Sequence, residues 1–216
     1  MLGSSESATP RGDRFMHQPL PLPAAELRAA VAQRYGRVAT CPETPAGFPV
    51  GRAFAEAVGY PAELLDTLPA AASASFAGVA ALPRWLALAA GMTVVDLGCG
   101  AGLDTLIAAR QVGPAGRVIG IDASTDMAQL ARRNAEAVAA TNVTILTAPV
   151  EETPLEDGLA DAIIANGIVN LSPEKERLVG EIARLLKPGG ALTAAEIVLR
   201  EEIPLSERAT LEDWFR

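Results

Sequence analysis

From Met92 onward the chain alternates between two patterns. Short apolar, β-branched runs at Met92–Leu97, Arg117–Ile121, Asn142–Thr147, Ala160–Ala165 and Ala191–Leu199 read as strands. Between them, Leu103–Val112 and a stretch from about Asp126 to Ala139 carry helical spacing. A third helix is expected after Ser172, which is placed to cap it, with Pro173 at its first position. Leu178, Ile182, Leu185 and Leu186 give that helix its buried stripe, and Lys187-Pro188-Gly189-Gly190 stops it. Strands alternating with helices imply right-handed crossovers and a mainly parallel sheet, so the fold class is α/β.

The first part is helical and broken. Leu27, Val31 and Tyr35 recur every fourth residue from Ala24, whereas glycines and prolines across 36–50 read as loop. Two or three short helices fill 51–89, separated by Gly59, Pro61, Pro69 and Pro83. Residues 1–23 have four prolines and no periodicity, so they are expected to be a disordered tail, and the lone histidine there, His17, receives no role. The organisation expected is a tail (1–23), a helical N-terminal cap (24–90) and one α/β domain (91–216).

Composition narrows the partners. The 216 residues carry a net charge of −8 and only 4% aromatics, which argues against a nucleic-acid binder and its base-stacking platforms. No apolar run reaches the roughly 18 residues that cross a bilayer. The tail makes a poor signal peptide, and two cysteines, Cys41 and Cys99, make no disulfide framework. A soluble, cytoplasmic protein acting on a small molecule is the expectation. The oligomeric state is open.

The sharpest motif is Asp96-Leu97-Gly98-Cys99-Gly100-Ala101-Gly102, where the first strand meets a helix. Glycines there let backbone approach a ligand at the helix N-terminus. A phosphate-binding P-loop would need Gly-Lys-Ser/Thr, and a dinucleotide fingerprint would need glycine where Leu103 stands. Asp96 and Asp104 also bracket the loop with negative charge, which repels a pyrophosphate and attracts the sulfonium and amino group of S-adenosyl-L-methionine. Asp122 ends the second strand, where an acid accepts ribose hydroxyls, and Met127 is placed to pack on an adenine face. The plain alternative is that Asp96 and Asp122 are strand-end turn formers.

These stretches (VVDLGCGAG, VIGIDAS, ADAIIANGIVNLSPEKE and LLKPGGAL) resemble class I S-adenosylmethionine-dependent methyltransferases. Over about residues 28–216 the chain is most similar to the arsenite methyltransferase family, through QRYGRVA, VDLGCGAGLDTLIAARQVGPAGRVIGID, VNLSPEK, LLKPGG and IVLREEIP. The resemblance implies a Rossmann-like methyltransferase sheet with S-adenosyl-L-methionine as cofactor, five strands being present of seven. Asp96, Gly98, Gly100 and Gly102 would surround the methionyl part, and Asp104 would face its amino group. Asp122 and Met127 would hold ribose and adenine, and Val150 and Glu151 would meet the adenine edge. Pro149 stands where the family usually has an acid. Asn166 would lie beside the methyl group. No metal is assigned.

The substrate implied is thiol-bound trivalent arsenic, whose lone pair attacks the sulfonium methyl, so positioning and desolvation dominate. Soft thiolates are natural ligands for it. Family cysteines are missing at Ala77-Gly78-Val79 and at Gly167; Cys41, near the place of another, is the candidate catalytic residue, though equally an ordinary loop cysteine. Cys99 reads as a space-filler inside the glycine loop. No general base is evident, which suits a lone-pair nucleophile and not an unactivated alcohol.

Two alternatives stay open: methyl transfer to another small-molecule carbon, oxygen or sulfur nucleophile, and a non-catalytic cofactor-binding module. Asn166-Gly167-Ile168-Val169 lacks the Asn-Pro-Pro-aromatic wall that grips an extruded base. Leu211, Trp214 and Phe215 suggest a packing helix cut short, so a C-terminally truncated chain is expected, by the family's spacing at a selenocysteine codon after Arg216. An in-frame UGA followed by further coding sequence is the expected nucleotide reading; its absence removes that idea.

Overall fold

A computed structural model describes residues 22–198. Residues 1–21 of the tail, the Leu205–Arg216 segment and the expected truncation point therefore lie outside the described residues, whereas the fifth strand, expected to reach Leu199, ends at Ala195. Helix α1 spans Ala24–Thr40, with α2 at Arg52–Ala57, α3 at Ala62–Leu65, α4 at Ala70–Ala74 and a 3-10 turn at Leu82–Arg84. Then follow β1 (Thr93–Leu97), α5 (Leu103–Val112), β2 (Arg117–Asp122), α6 (Thr125–Ala137), β3 (Val143–Thr147), β4 (Ala160–Asn166), α7 (Lys175–Leu185) and β5 (Leu186–Ala195).

All five strands are parallel, in the order β3-β2-β1-β4-β5. The order runs one way from β1 through β2 to β3 and the other way from β1 to β4. A crevice opens at such a reversal, outside the carboxyl ends of the strands. The strands read as continuous apolar runs because helices cover both faces: Val95, Leu97, Ile119 and Ile163 pack against α7, and Val94, Val118 and Ile164 pack against α5 and the 3-10 turn.

Three further expectations need adjusting. Helix α1 continues past Gly36 to Thr40 rather than ending there. A Cβ on Gly36 would meet Asp126 Oδ2 at 2.8 Å, so this glycine lets α1 lie against the start of α6 and is not a stop signal. Ser172 is not the cap of α7. Its hydroxyl oxygen accepts the Glu174 N–H at 3.2 Å, two residues ahead of the actual cap position at Glu174, and Pro173 precedes the helix that begins at Lys175. Leu186 belongs to β5 rather than to the α7 stripe: it pairs with Ala160, and the Lys187–Gly190 stretch is absorbed by an irregularity before Ala191 pairs with Ala162.

None of the described helices is long and apolar enough to cross a membrane. Helices α2–α4 pack onto α5, since Ala55, Leu65 and Ala72 share a core cluster with its Leu103, Leu106 and Ile107.

One contact ties the sheet to the loop above it. A Cβ on Gly120, in the middle of β2, would meet Ile145 Cδ1 at 2.7 Å and Cys99 Sγ at 3.0 Å. Gly120→Ala is expected to lower stability by about 1–3 kcal/mol, the range for overpacking a close-packed site, seen as a lower urea midpoint. An unchanged midpoint would show that Cys99 yields freely.

Candidate functional site

The crevice at the carboxyl ends of β1, β2 and β4 is built by one turn of chain. Leaving β1, the N–H groups of Gly98 and Cys99 both donate to the Ile121 carbonyl, at 2.8 and 3.0 Å, which folds the loop across the end of β2. Gly98 sits at φ +72°, and a Cβ there would strike Ile168 at 2.8 Å. Gly100 N–H donates to Asp122 Oδ2 at 2.8 Å, and Ser124 N–H donates to Asp122 Oδ1 at 2.8 Å. A Cβ on Gly100 would project into open space, so this backbone leaves room for a ligand. Gly102 precedes the first residue of α5 with its back to α6, where an added Cβ would lie 3.3 Å from Ala131 Cβ, and it is not among the residues lining the cleft.

Asp96, Gly98, Gly100, Asp104, Asp122, Met127, Val150, Glu151 and Asn166 all line one cleft. Asp96 is only 2% exposed and accepts the Thr105 hydroxyl on Oδ2 at 2.5 Å. Asp104 is 6% exposed and takes Tyr60 O–H on Oδ1 at 2.6 Å and Asn166 Nδ2–H on Oδ2 at 2.8 Å. Burial away from water pushes both carboxyls above the ordinary range, and for Asp96 the nearby Asp104 pushes further. Burial also raises Asp122, to about 6, against the lowering effect of its two N–H donors. Among the described residues none of the three is ion-paired to a basic side chain. Two buried carboxyls and a third, half-buried one around an open glycine turn are costly in isolation, and such clusters mark functional clefts. A cationic group compensates them and an anion does not, so the donor set fits a positively charged nucleoside.

The other side chains refine the reading. Met127 is fully buried on α6 beside Val38 and Leu130, with its flank at the cleft. Val150 belongs to the core cluster above β1 and β2. Glu151, 6% exposed, accepts Ser172 O–H at 2.5 Å and so ties the loop after β3 to the loop after β4. Asn166 does not project freely toward a ligand, because its amide is spent on Asp104 and on the backbone of Val79 and Ala80. Cys41, at the exposed end of α1, is not among the cleft residues. Cys99 is buried and packs against Ala128, Ala131 and Ile145; desolvation, then the charges of Asp122 and Asp96, raise its thiol pKa, which suits a filler rather than a nucleophile.

Several lining residues come from the first helices and escaped sequence reasoning. Arg28, Val31 and Tyr35 lay one face of α1 over the cleft, and Arg28 pairs with Glu174 at the foot of α7. Their helical spacing was visible, but which surface that face covers depends on tertiary packing. Phe76 and Ala77 line the cleft from the segment after α4.

A model of a methyltransferase-domain family matches residues 88–216. An arsenite methyltransferase of Halobacterium salinarum is 40% identical over 118 residues, 55% of this chain and 30% of that protein. A demethylmenaquinone methyltransferase of Lactococcus lactis subsp. lactis is 36% identical over 107 residues, 49% of this chain and 42% of that protein. The chain thus spans less than half the length of these relatives. Among solved structures, an arsenic (III) S-adenosylmethionine methyltransferase from Chlamydomonas reinhardtii superposes with a TM-score of 0.58 at 30% identity, covering 74% of this chain and 54% of that one.

The raised Asp122 carboxyl has a pH signature. Its unfolded pKa is about 3.9, so the folded state binds the proton more tightly. The resulting contribution to stability of the ligand-free protein is present at low pH and is lost as pH rises through about 6. Asp122→Asn is expected to gain on the parent protein between pH 4 and 7, by about 1–3 kcal/mol, read from urea midpoints at each pH. A difference that does not change with pH contradicts this assignment.

Proposed function

The chain belongs to the methyltransferase-domain family that uses S-adenosyl-L-methionine, and we propose that it transfers the methyl group to thiol-bound trivalent arsenic. The observation that carries the donor half is the acidic cleft: Asp96, Asp104 and Asp122, unpaired with any basic group among the described residues, around a glycine turn with open space above Gly100. S-adenosyl-L-methionine supplies an electrophilic methyl on a sulfonium. Asp122, with one lone pair on each oxygen still available, accepts the ribose hydroxyls. Asp96 offsets the positive charge from the floor of the cleft, and the Gly98–Gly100 backbone lets the methionyl part lie close. Met127, Val150 and Glu151 bound the adenine end. Tyr35 and Arg28 on α1 cover the cleft and exclude water, which strengthens the charge interactions inside.

The acceptor half rests on what the cleft does not need. Trivalent arsenic attacks through a lone pair, so no side chain has to remove a proton in the transfer step. Similarity to arsenite methyltransferases across the domain supports this substrate. With Cys41 away from the cleft and Cys99 turned inward, the thiolates on arsenic come with the substrate, supplied by small thiols rather than by the protein. A second reading is favoured by the apolar lining from Phe76, Ala77, Ile168 and Leu171: an apolar small molecule methylated on carbon, oxygen or sulfur, in keeping with the similarity to a demethylmenaquinone methyltransferase.

Calorimetric titration with S-adenosyl-L-methionine, followed by an assay on arsenite in excess thiol, separates these readings. Saturable binding and methylated arsenic are expected, with Cys41→Ser retaining the rate within about threefold, as for a surface substitution that touches no special feature. Binding without turnover on arsenite removes that substrate and leaves the second reading or a non-catalytic module. No binding at all removes the cofactor assignment.

A further inference from the structure

Asn166 ends β4 at the rim of the cleft, where the family resemblance would set it beside the reacting methyl. Its hydrogen bonds point elsewhere. Nδ2 donates to Asp104 Oδ2 at 2.8 Å and to the Ala80 carbonyl at 2.9 Å. Oδ1 accepts the N–H groups of Val79 and Ala80 at 2.8 and 3.3 Å. A primary amide has two donor hydrogens and two acceptor lone pairs, so all four are committed. The amide cannot be turned over, because that would aim its NH2 at two N–H groups and its oxygen at a carboxylate. Asp104 is fixed in turn by Tyr60, whose ring packs edge-on against Phe76 at 5.1 Å between centroids.

These contacts converge on one segment. Residues 76–80 leave α4 and pass over the end of β4, with no helix or strand of their own. A Cβ on Gly78 would lie 2.7 Å from the Asn166 amide, and one on Gly167 would lie 3.4 Å from Val79 Cγ1. The segment is therefore held flush against the carboxyl end of β4, and its Phe76 and Ala77 line the cleft, as do Ile168 and Leu171.

We propose that Asn166 is a positioning residue: with Asp104 and Tyr60 it clasps the Phe76–Ala80 segment to the end of β4, setting the acceptor-side wall, and it makes no direct contact with the cofactor's sulfonium. This rests on the cleft being a methyl-transfer site, as proposed above, but not on arsenic as the acceptor. The chemistry of the clasp explains the residue type. Only a side chain that donates on one edge and accepts on the other satisfies a carboxylate, a carbonyl and two N–H groups at once; aspartate in the same place would set two carboxylates against each other.

The test compares the wild-type chain with Asn166→Ala, and with Tyr60→Phe as the milder variant that keeps the ring packing. Amide hydrogen exchange is followed at Val79 and Ala80 in the ligand-free protein, and S-adenosyl-L-methionine affinity is measured by calorimetry. Asn166→Ala is expected to speed exchange at both amides by at least about tenfold, since each loses its acceptor. It should leave the cofactor Kd within about fivefold, well short of the loss expected for removing a direct hydrogen bond to a charged group. Tyr60→Phe should shift exchange in the same direction by less, with the fold intact.

Where a turnover assay exists, Asn166→Ala should raise the acceptor KM and lower kcat while cofactor affinity holds. Unchanged exchange at Val79 and Ala80 in both variants overturns the clasp. A cofactor Kd weakened by more than about fivefold overturns the claim that Asn166 stays off the cofactor. If the wild-type chain binds no S-adenosyl-L-methionine, the methyltransferase reading fails, while the exchange data still decide whether the clasp exists.

Discussion

The loop after β1 has to be held over the end of β2, and everything at the site depends on that. Two N–H groups on the Ile121 carbonyl and one on the Asp122 carboxylate accomplish it. This anchoring faces Gly100 toward the cleft, begins α5 just after Gly102 and brings both Asp96 and Asp104 to the ligand space. It also determines why small residues recur beneath the loop. Gly120 leaves room for Cys99, and Ala131 lets the start of α5 lie against α6. The acids are then buried beside one another without a basic partner among the described residues, an arrangement that is poor for stability and good for holding a cation.

Much of the α/β part could be read from pattern alone, and for identifiable reasons. Parallel strands buried on both faces leave continuous apolar runs, so Val94–Leu97, Val118–Ile121 and Ala162–Ala165 announce themselves. Helix α5 is bounded by glycines at both ends and was expected at its observed limits. The errors fall where a local signal served a tertiary purpose. Gly36 resembles a helix stop and is a helix–helix contact point. Ser172 resembles a cap, and its hydroxyl hydrogen is instead directed to Glu151.

The site was legible at its donor end and opaque at its acceptor end. The glycine loop and the strand-end acids are close in sequence to the elements that position them, so spacing carries the information. Arg28 and Tyr35 reach the cleft from α1, whose period shows a helix but not the surface it covers, and Phe76 comes from the segment after α4, among short helices with no clear period. The two positions where the resemblance implies a cysteine that this chain lacks, Gly78 and Gly167, are brought to the same place by the fold: a Cβ on Gly78 would lie 2.7 Å from the Asn166 amide, and one on Gly167 would lie 3.4 Å from Val79 Cγ1. Nothing in the linear order of 78 and 167 indicates that proximity. The acceptor side therefore keeps its framework without thiols of its own, which places the burden of binding arsenic on thiols carried by the substrate, in the reading proposed above.

The central claim is that the cleft recognises an adenosine-bearing cation through strand-end acids rather than a nucleotide through its phosphates. The most direct measurement is an experimental structure of the chain with S-adenosyl-L-methionine bound. Both ribose hydroxyls are expected on the Asp122 carboxylate, with the methionyl chain running over Gly100 toward Asp96. A ligand whose ribose lies away from Asp122, or a phosphate seated on the Gly98–Gly102 turn in its place, would contradict it.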